Sequence, residues 1–477
     1  MSKLNIMCMA TRFINIDRQS PMLMPPDLRD WLPANHIARF IVALVEQFDL
    51  SSFKVNRRGS GDAQYPPSML AALLIYCYAT GRFSSRRIEE ATYSDVAVRF
   101  ISADTHPDHD TICTFRRVNG RAFRELFVKV LAVAGQSGLV KQVGGISVDG
   151  SKIKANASKH SAVSYKRAGK LIEQLTLEIE ELTRKAEEAD STPLEDGLTV
   201  PEEITRREQR IKKLQKARAE IEAHYEEERK AKQAEYEAKM AERDRKRKDG
   251  RPPRGRPPTP PCDTPPDKKQ HNFTDPDSRI MKAGTGKHFE QSYNAQAAVD
   301  TEGSMMILGC RVTTSANDKQ QLAPTVESVE AAARTPSYVL ADSGYTSQPQ
   351  IDAVEANDGP VVYAATGKRK HGRTVADLES KMDPPPPAED ASTLDKVKHR
   401  MNTAEGRALY KLRKQTVEPV FGIIKHALGF RQFHLRGHPK VDLEWNLVCL
   451  AYNVRRLFKL SDCDSLPQNV PVLAANG

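Results

Sequence analysis

Asp149 closes the apolar run ISV at 146–148, Asp342 closes SYVLA at 337–341, and Glu418 lies in TVEPVFGIIK at 416–425. Acids at strand ends and on a helix can converge at the carboxyl edge of an α/β sheet. Three carboxylates held together would repel one another unless a cation neutralised them. Without paired thiolates or histidines beside them, that cation would be hard and oxygen-seeking, Mg²⁺ or Mn²⁺. Two such ions can activate a water or a 3′-hydroxyl and stabilise the leaving oxygen of a phosphodiester. Lys425 follows Glu418 by seven residues, about two helical turns, which puts both on one face with the lysine toward phosphates. Pro419 predicts a first-turn position, with Thr416 as the cap. Taken singly, Asp149-Gly150 and Asp342-Ser343-Gly344 read equally as turns, and Glu418 with Lys425 as a solvated face. The ordered set carries the argument.

The elements that must position these acids form a mixed α/β order. A strand at 146–149 comes first. Later, FEQSYNAQAAVD (289–300) alternates as a strand, TEG (301–303) turns, and SMMILGCRVT (304–313) returns. A helix over 317–333, a strand at 337–342, a helix near 347–356, a strand at 361–366 and helical segments to 460 follow. A polar loop is expected over 367–392 and a flexible tail over 461–477. Asp300 and Asp318 read as a turn residue and a helix start.

Residues 1–138 predict a separate all-α module. Apolar periodicity marks helices at 36–48 and 67–81, and SSRRIEEATYSDVAVRF (84–100), DTICTFRRV (110–118) and 120–135 continue the pattern. The pairs Arg86/Arg87 and Arg116/Arg117 suit a helix-turn-helix-like DNA surface or, equally, a bundle with solvated arginines. His106, Asp108, His109 and Asp110 read as a loop in which Asp110 caps a helix from Thr111, not as a metal cluster.

From 158 to 247 the chain is charged and helical. Leu171, Leu175, Ile179 and Leu182, then Ile204, Ile211, Leu214, Ile221 and Tyr225, predict an antiparallel coiled-coil hairpin broken by DSTPLEDGLTVP (190–201). It would project from the sheet edge and pair protomers or clamp DNA. A Pro-rich basic linker (248–275) follows, extended, with Arg254-Gly255-Arg256-Pro257 as an AT-hook-like core for a narrow minor groove. Lys152 and Lys154 extend the Asp149 strand as phosphate contacts or as a solvated continuation.

The 477 residues exceed one ordinary core. A net charge of +10 and a pI near 9.1 favour an anionic partner such as nucleic acid. The seven cysteines, none in a CxxC pair, predict reduced, buried thiols in a cytoplasmic protein. No apolar run reaches membrane-spanning length and no secretion signal opens the sequence.

The chain resembles the DDE transposases of bacterial insertion sequences, in the branch with a Tyr-x2-Arg-x3-Glu-x6-Lys signature. VDGSKIKANASKH around Asp149, YNAQAAVD, LADSGYTS around Asp342 and GRALYKLRKQTVEPVFGIIKHALGFRQFHLRG around Glu418 carry the likeness. DWLPANHIARFIVALVEQFDLSSF and HPDHDTICTFRR resemble that group's N-terminal helical domain. Tyr410, Arg413, Glu418 and Lys425 match the signature with one departure: four residues separate Arg413 from Glu418, and Lys414 stands at the three-residue spacing. The resemblance implies an RNase H-like catalytic domain over 143–157 and 276–460. It implies catalysis by Asp149, Asp342 and Glu418 with two divalent ions and no covalent enzyme intermediate. It further implies binding to terminal inverted repeats and target DNA, strand cleavage and transfer, assembly as a homodimer or larger synaptic complex, and a nucleoid setting. The rival reading is a domesticated DNA-binding protein that no longer cuts.

Overall fold

The structure, a computed structural model, describes residues 27–55, 63–188, 200–248, 256–282, 288–330, 333–366, 383–388 and 390–461. Arg254, all but the first residue of the expected tail over 461–477 and most of the expected loop over 367–392 lie outside them.

Among the described residues, six α-helices precede the sheet: α1 (Ile37–Glu46), α2 (Pro67–Ala79), α3 (Ser85–Ser94), α4 (Val96–Ile101), α5 (His109–Val118) and α6 (Gly120–Gln136). The stretch expected as one helix over 84–100 is two, because Asp95 accepts the amides of Ala97 and Val98 and restarts the helix. The cap of α5 is Asp108, not Asp110. Its carboxylate accepts from the Thr111 amide at 2.7 Å and from the Thr111 hydroxyl at 2.9 Å.

The sheet is built from β1 (Val143–Lys154), β4 (Arg279–Lys282), β5 (Phe289–Asp300), β6 (Ile307–Thr313), β7 (Thr335–Ala341) and β8 (Val361–Ala364). β5 lies antiparallel to β1 on one side; β7 and then β8 follow in parallel on the other. β6 and β4 pair with the far edge of β5. This mixed sheet with helices is consistent with an RNase H-like DDE domain. β1 does not stop at Asp149 as its short apolar run suggested. Antiparallel pairing with β5 carries it to Lys154, opposite Ser292. The turn before β6 is also longer, with Gly303 and Met305 at positive φ, and the helix expected over 317–333 shrinks to α9 (Leu322–Glu327).

α10 (Gln348–Glu355) lies between β7 and β8, and beyond β8 come α11 (Thr393–Asn402), α12 (Ala404–Gly422) and α13 (His438–Leu460). α13 joins the two ends of the chain. Its Asn453 exchanges hydrogen bonds with both the amide and carbonyl of Ile307, and Asp442 accepts the Val312 amide at 2.7 Å, so the β6 edge is covered. Its other face packs on α2 and α6. Phe458 meets Phe40 of α1 (5.3 Å between centroids), and Arg455 donates to the Ala79 carbonyl at 2.8 Å. One apolar core therefore runs from Ala38 to Leu457 without a break at residue 138. Gly81, at φ +86°, lets this join close, since a Cβ there would lie 2.6 Å from the Leu428 carbonyl oxygen.

The insertion leaves after β1 through a two-stranded neck, β2 (Ala162–Ser164) against β3 (Gln270–Asn272). Within it α7 (Tyr165–Glu188) packs on α8 (Val200–Lys248). Tyr165 bonds Glu222 and Glu178 bonds Arg207, so the helices run antiparallel. Val163, Ala168, Leu175, Leu214 and Ala217 form a small core apart from the main one. The 49 residues of α8 span about 74 Å, roughly twice α7. Its distal half is laced with i,i+4 pairs such as Glu235–Lys239 and Glu242–Lys246, as suits a solvated helix. The linker returns along α8, where Tyr225 donates to the Cys262 carbonyl at 2.8 Å.

Candidate active site

Parallel pairing of β1 with β7 ends at Ser147 opposite Leu340. Two residues further along stand Asp149, still within β1, and Asp342, just past the end of β7. Asp149 has its Oδ1 on the Gly150 amide at 2.8 Å. Burial pushes its carboxyl up to about 6, and the negative charges of Asp342 and Asp318 add to the rise; the Gly150 amide and Arg413 pull the other way. Asp342 folds back to cap the turn after β7, accepting the Gly344 amide at 2.7 Å.

Glu418 sits deep in α12, whose cap is Thr403, not Thr416. Thr416 instead turns its hydroxyl back to the Leu412 carbonyl at 2.8 Å. Pro419 lies in the helix interior, not in a first turn. Buried Val417, Val420 and Phe421 hold that segment down despite the missing amide, and a π turn over Ile423–Ala427 follows. Phe421 stacks on Trp445, whose indole donates to the Gln296 carbonyl at 2.9 Å.

Arg413 stands between the acids. Its Nη2 donates to Glu418 Oε1 at 3.0 Å, and its Nη1 lies 3.6 Å from Asp149 Oδ2. Its guanidinium also faces the Tyr410 ring. The spacing ambiguity resolves geometrically: Arg413 faces the carboxylates, while Lys414 is exposed. Arg413 Nε and Nη1 are buried without a hydrogen bond among the described residues. Lys425 is turned inward by the π turn. Its Nζ donates to the Lys152 carbonyl at 3.0 Å, and burial lowers its pKa.

A second ring of groups lies behind Asp149, built on Asn294 and Gln296, which the alternation of β5 turns to the face opposite its apolar one. Asp318 does start a short helix, but its Oδ1 also accepts from Asn294 (2.7 Å) and Gln296 (3.0 Å) of β5. The Tyr345 hydroxyl donates to Gln296 Oε1. Burial, then the charges of Asp318, Asp149 and Asp342, push the Tyr345 pKa well up. Gly150 makes room for this network, since a Cβ would collide with the Gln296 amide and lie 2.9 Å from Asn294 Oδ1. Asp300 belongs elsewhere, in a fully buried pair with Arg334 that also holds the turn at 302–304.

The other basic residues divide. Arg86, Arg87 and Arg117 are exposed, as are Arg256 and Lys154, and Lys152 is half-buried. Arg116 is not a surface residue: it is 6% exposed and donates to Tyr78 Oη (2.8 Å) and the Phe83 carbonyl (2.9 Å). Its place beside Ile112 and Phe115 on the inward stripe of α5 was the available signal. Cys262 is likewise exposed, whereas Cys77, Cys310 and Cys449 are buried.

The donor chemistry around Asp149 fits a hard divalent cation: oxygen ligands only, with ionisation opposed by burial and by neighbouring acids. Among the described residues, no three His, Cys, Asp or Glu side chains are gathered tightly enough to hold a metal as placed. Asp149 and Asp342 are brought together; Glu418 is held off by its pairing with Arg413.

Two family models match the chain. The Transposase DDE domain matches residues 261–454, and the Transposase domain (DUF772) matches residues 26–118. The chain belongs to the DDE transposases of insertion-sequence type. The first match holds Asp342 and Glu418 and begins after Asp149, beyond the helical insertion that separates β1 from the rest of the sheet in sequence. No curated protein and no solved structure matches the chain. Transposases of this family act on DNA and typically use a divalent metal. No helix among the described residues is long and apolar enough to cross a membrane.

Proposed function

We propose that this transposase binds the terminal inverted repeats of its element, cuts DNA at those ends and transfers the freed 3′-hydroxyl to target DNA. The observation that carries the reading is that Asp149 on β1 and Asp342 just past β7 each stand two residues beyond the last parallel pair of those adjacent strands, with Arg413 joining Asp149 to Glu418. Asp149 and Asp342 would hold the cation, with Glu418 completing the set. Bound magnesium or manganese, two ions in this reading, would supply an activated water or hydroxyl and charge stabilisation at the leaving oxygen. Arg413 exchanges Glu418 for a phosphate of the incoming DNA, which satisfies its bare nitrogens. Lys425 braces β1 through the Lys152 carbonyl and so fixes the strand that carries Asp149. The Asn294–Gln296–Asp318–Tyr345 network keeps water and side chains ordered behind Asp149. Residues 1–138, through Arg86, Arg87 and Arg117, read the repeats, and the helical insertion holds a second protomer or clamps DNA.

The test is nicking of a DNA fragment that carries the element's end, with Mg²⁺, Mn²⁺ or EDTA. Metal-dependent nicks at the end and joined products with target DNA are expected. Cutting that persists in EDTA contradicts the reading.

A further inference from the structure

A cleft of ≈560 Å³ opens where β1 ends and the insertion begins. Lys154, Lys159 and Arg436 line it with His160 and His288, against one carboxylate, Glu290. Glu290 is already shared between Lys154, at 3.9 Å, and His288, at 2.9 Å. Lys159, His160 and the terminal nitrogens of Arg436 have no acidic partner among the described residues. The wall is held rigidly. Arg436 Nε donates to the Asn156 carbonyl at 3.0 Å, Asn156 Nδ2 to the His434 carbonyl at 2.8 Å, and Gln432 to the Ala155 carbonyl at 3.2 Å. These bonds pin the loop that follows the Lys425 turn against the end of β1. Uncompensated positive charge on a fixed polar wall selects an anion with several charged groups in a row.

The cleft is also at a set distance from the acids. Lys154 lies five residues beyond Asp149 on one continuous strand, about 17 Å at the usual rise. A DNA strand advances about 3.4 Å per nucleotide along its axis. We propose, resting on the reading of Asp149 as part of the cutting site, that this cleft holds backbone phosphates of the DNA being cut, about five nucleotides from the scissile one. The insertion springs from its rim at Lys159–Ser161, so the same contact would set the hairpin's direction relative to the DNA.

The experiment measures binding of an end-containing duplex across a salt range, in full-length Asp149→Asn protein so that no cutting intervenes. Lys159→Ala with His160→Ala changes only exposed side chains; adding Arg436→Gln removes the third. The triple variant should lower the slope of log affinity against log salt by about two, roughly 0.9 for each of the two permanent cations lost, Lys159 and Arg436. Methylphosphonates about four to six nucleotides from the cut should weaken binding by the parent several-fold and leave the triple variant indifferent. An unchanged slope, or sensitive phosphates only elsewhere, overturns the cleft. Wild-type cutting with an unchanged slope overturns the cleft alone, and a lowered slope without any cutting by wild type overturns the chemistry alone. A chain that binds no DNA overturns both.

Discussion

Replacing Asp149 with asparagine should stabilise the chain above neutral pH in the absence of metal. The carboxyl titrates near 6 in the fold against an ordinary 3.8, chiefly because it is buried. The folded state thus holds this proton more tightly than the unfolded chain does. Stability falls as pH rises from about 4 to about 6 and stays lowered above that. The gap corresponds to about 3 kcal/mol, and with the side chain 24% exposed most of it should survive screening. Asparagine keeps an oxygen for the Gly150 amide and carries no charge. Urea unfolding in EDTA at pH 8, 6 and below 4 should show Asp149→Asn ahead by about 3 kcal/mol, then by less, then level. Added Mg²⁺ should stabilise the wild type more than the variant, because it binds only the folded carboxylates. A variant less stable at pH 8, or a gain that does not change with pH, would show that the fold does not hold the Asp149 proton more tightly than the unfolded chain.

Arg116→Ala should cost about 3–5 kcal/mol of stability, because buried Glu444 and Tyr78 lose their cation; chemical denaturation reads this. Arg117→Ala should leave stability unchanged and lower the salt slope of DNA binding by about one. Breaking the buried pair by Asp300→Asn should cost about 3–5 kcal/mol, while Asp300→Leu with Arg334→Met should recover much of it in the same assay. Gly150→Ala should displace Gln296 and slow cutting more than it weakens DNA binding, measured as nicking rate against affinity.

The three acids stand out in the sequence because each closes or interrupts an apolar pattern, and β7 ends at Ala341 as the run before Asp342 suggests. The full length of β1 was legible only as one of two readings of Lys152 and Lys154, since GSKIK owes its strand pairing to β5. Arg116 was misread because an Arg pair says nothing of which member faces inward; only the phase with Ile112 and Phe115 does. Asp318 stayed hidden because a helix-start aspartate is ordinary, and the amides that claim it come from a strand more than twenty residues earlier. Pro419 misled for the opposite reason: local propensity forbids a mid-helix proline, but packing of Val417, Val420 and Phe421 overrides it. The continuity of the two ends of the chain also escaped the sequence, since α13 reads as one more amphipathic helix and only its two packed faces reveal the join.

The most direct measurement is the rate of metal-dependent nicking on bound end DNA by Asp149→Asn, Asp342→Asn and Glu418→Gln, each with its DNA affinity checked. The account predicts that all three lose about a thousandfold or more in rate, roughly 4 kcal/mol, while binding persists. Any one of them cutting at the wild-type rate would contradict it.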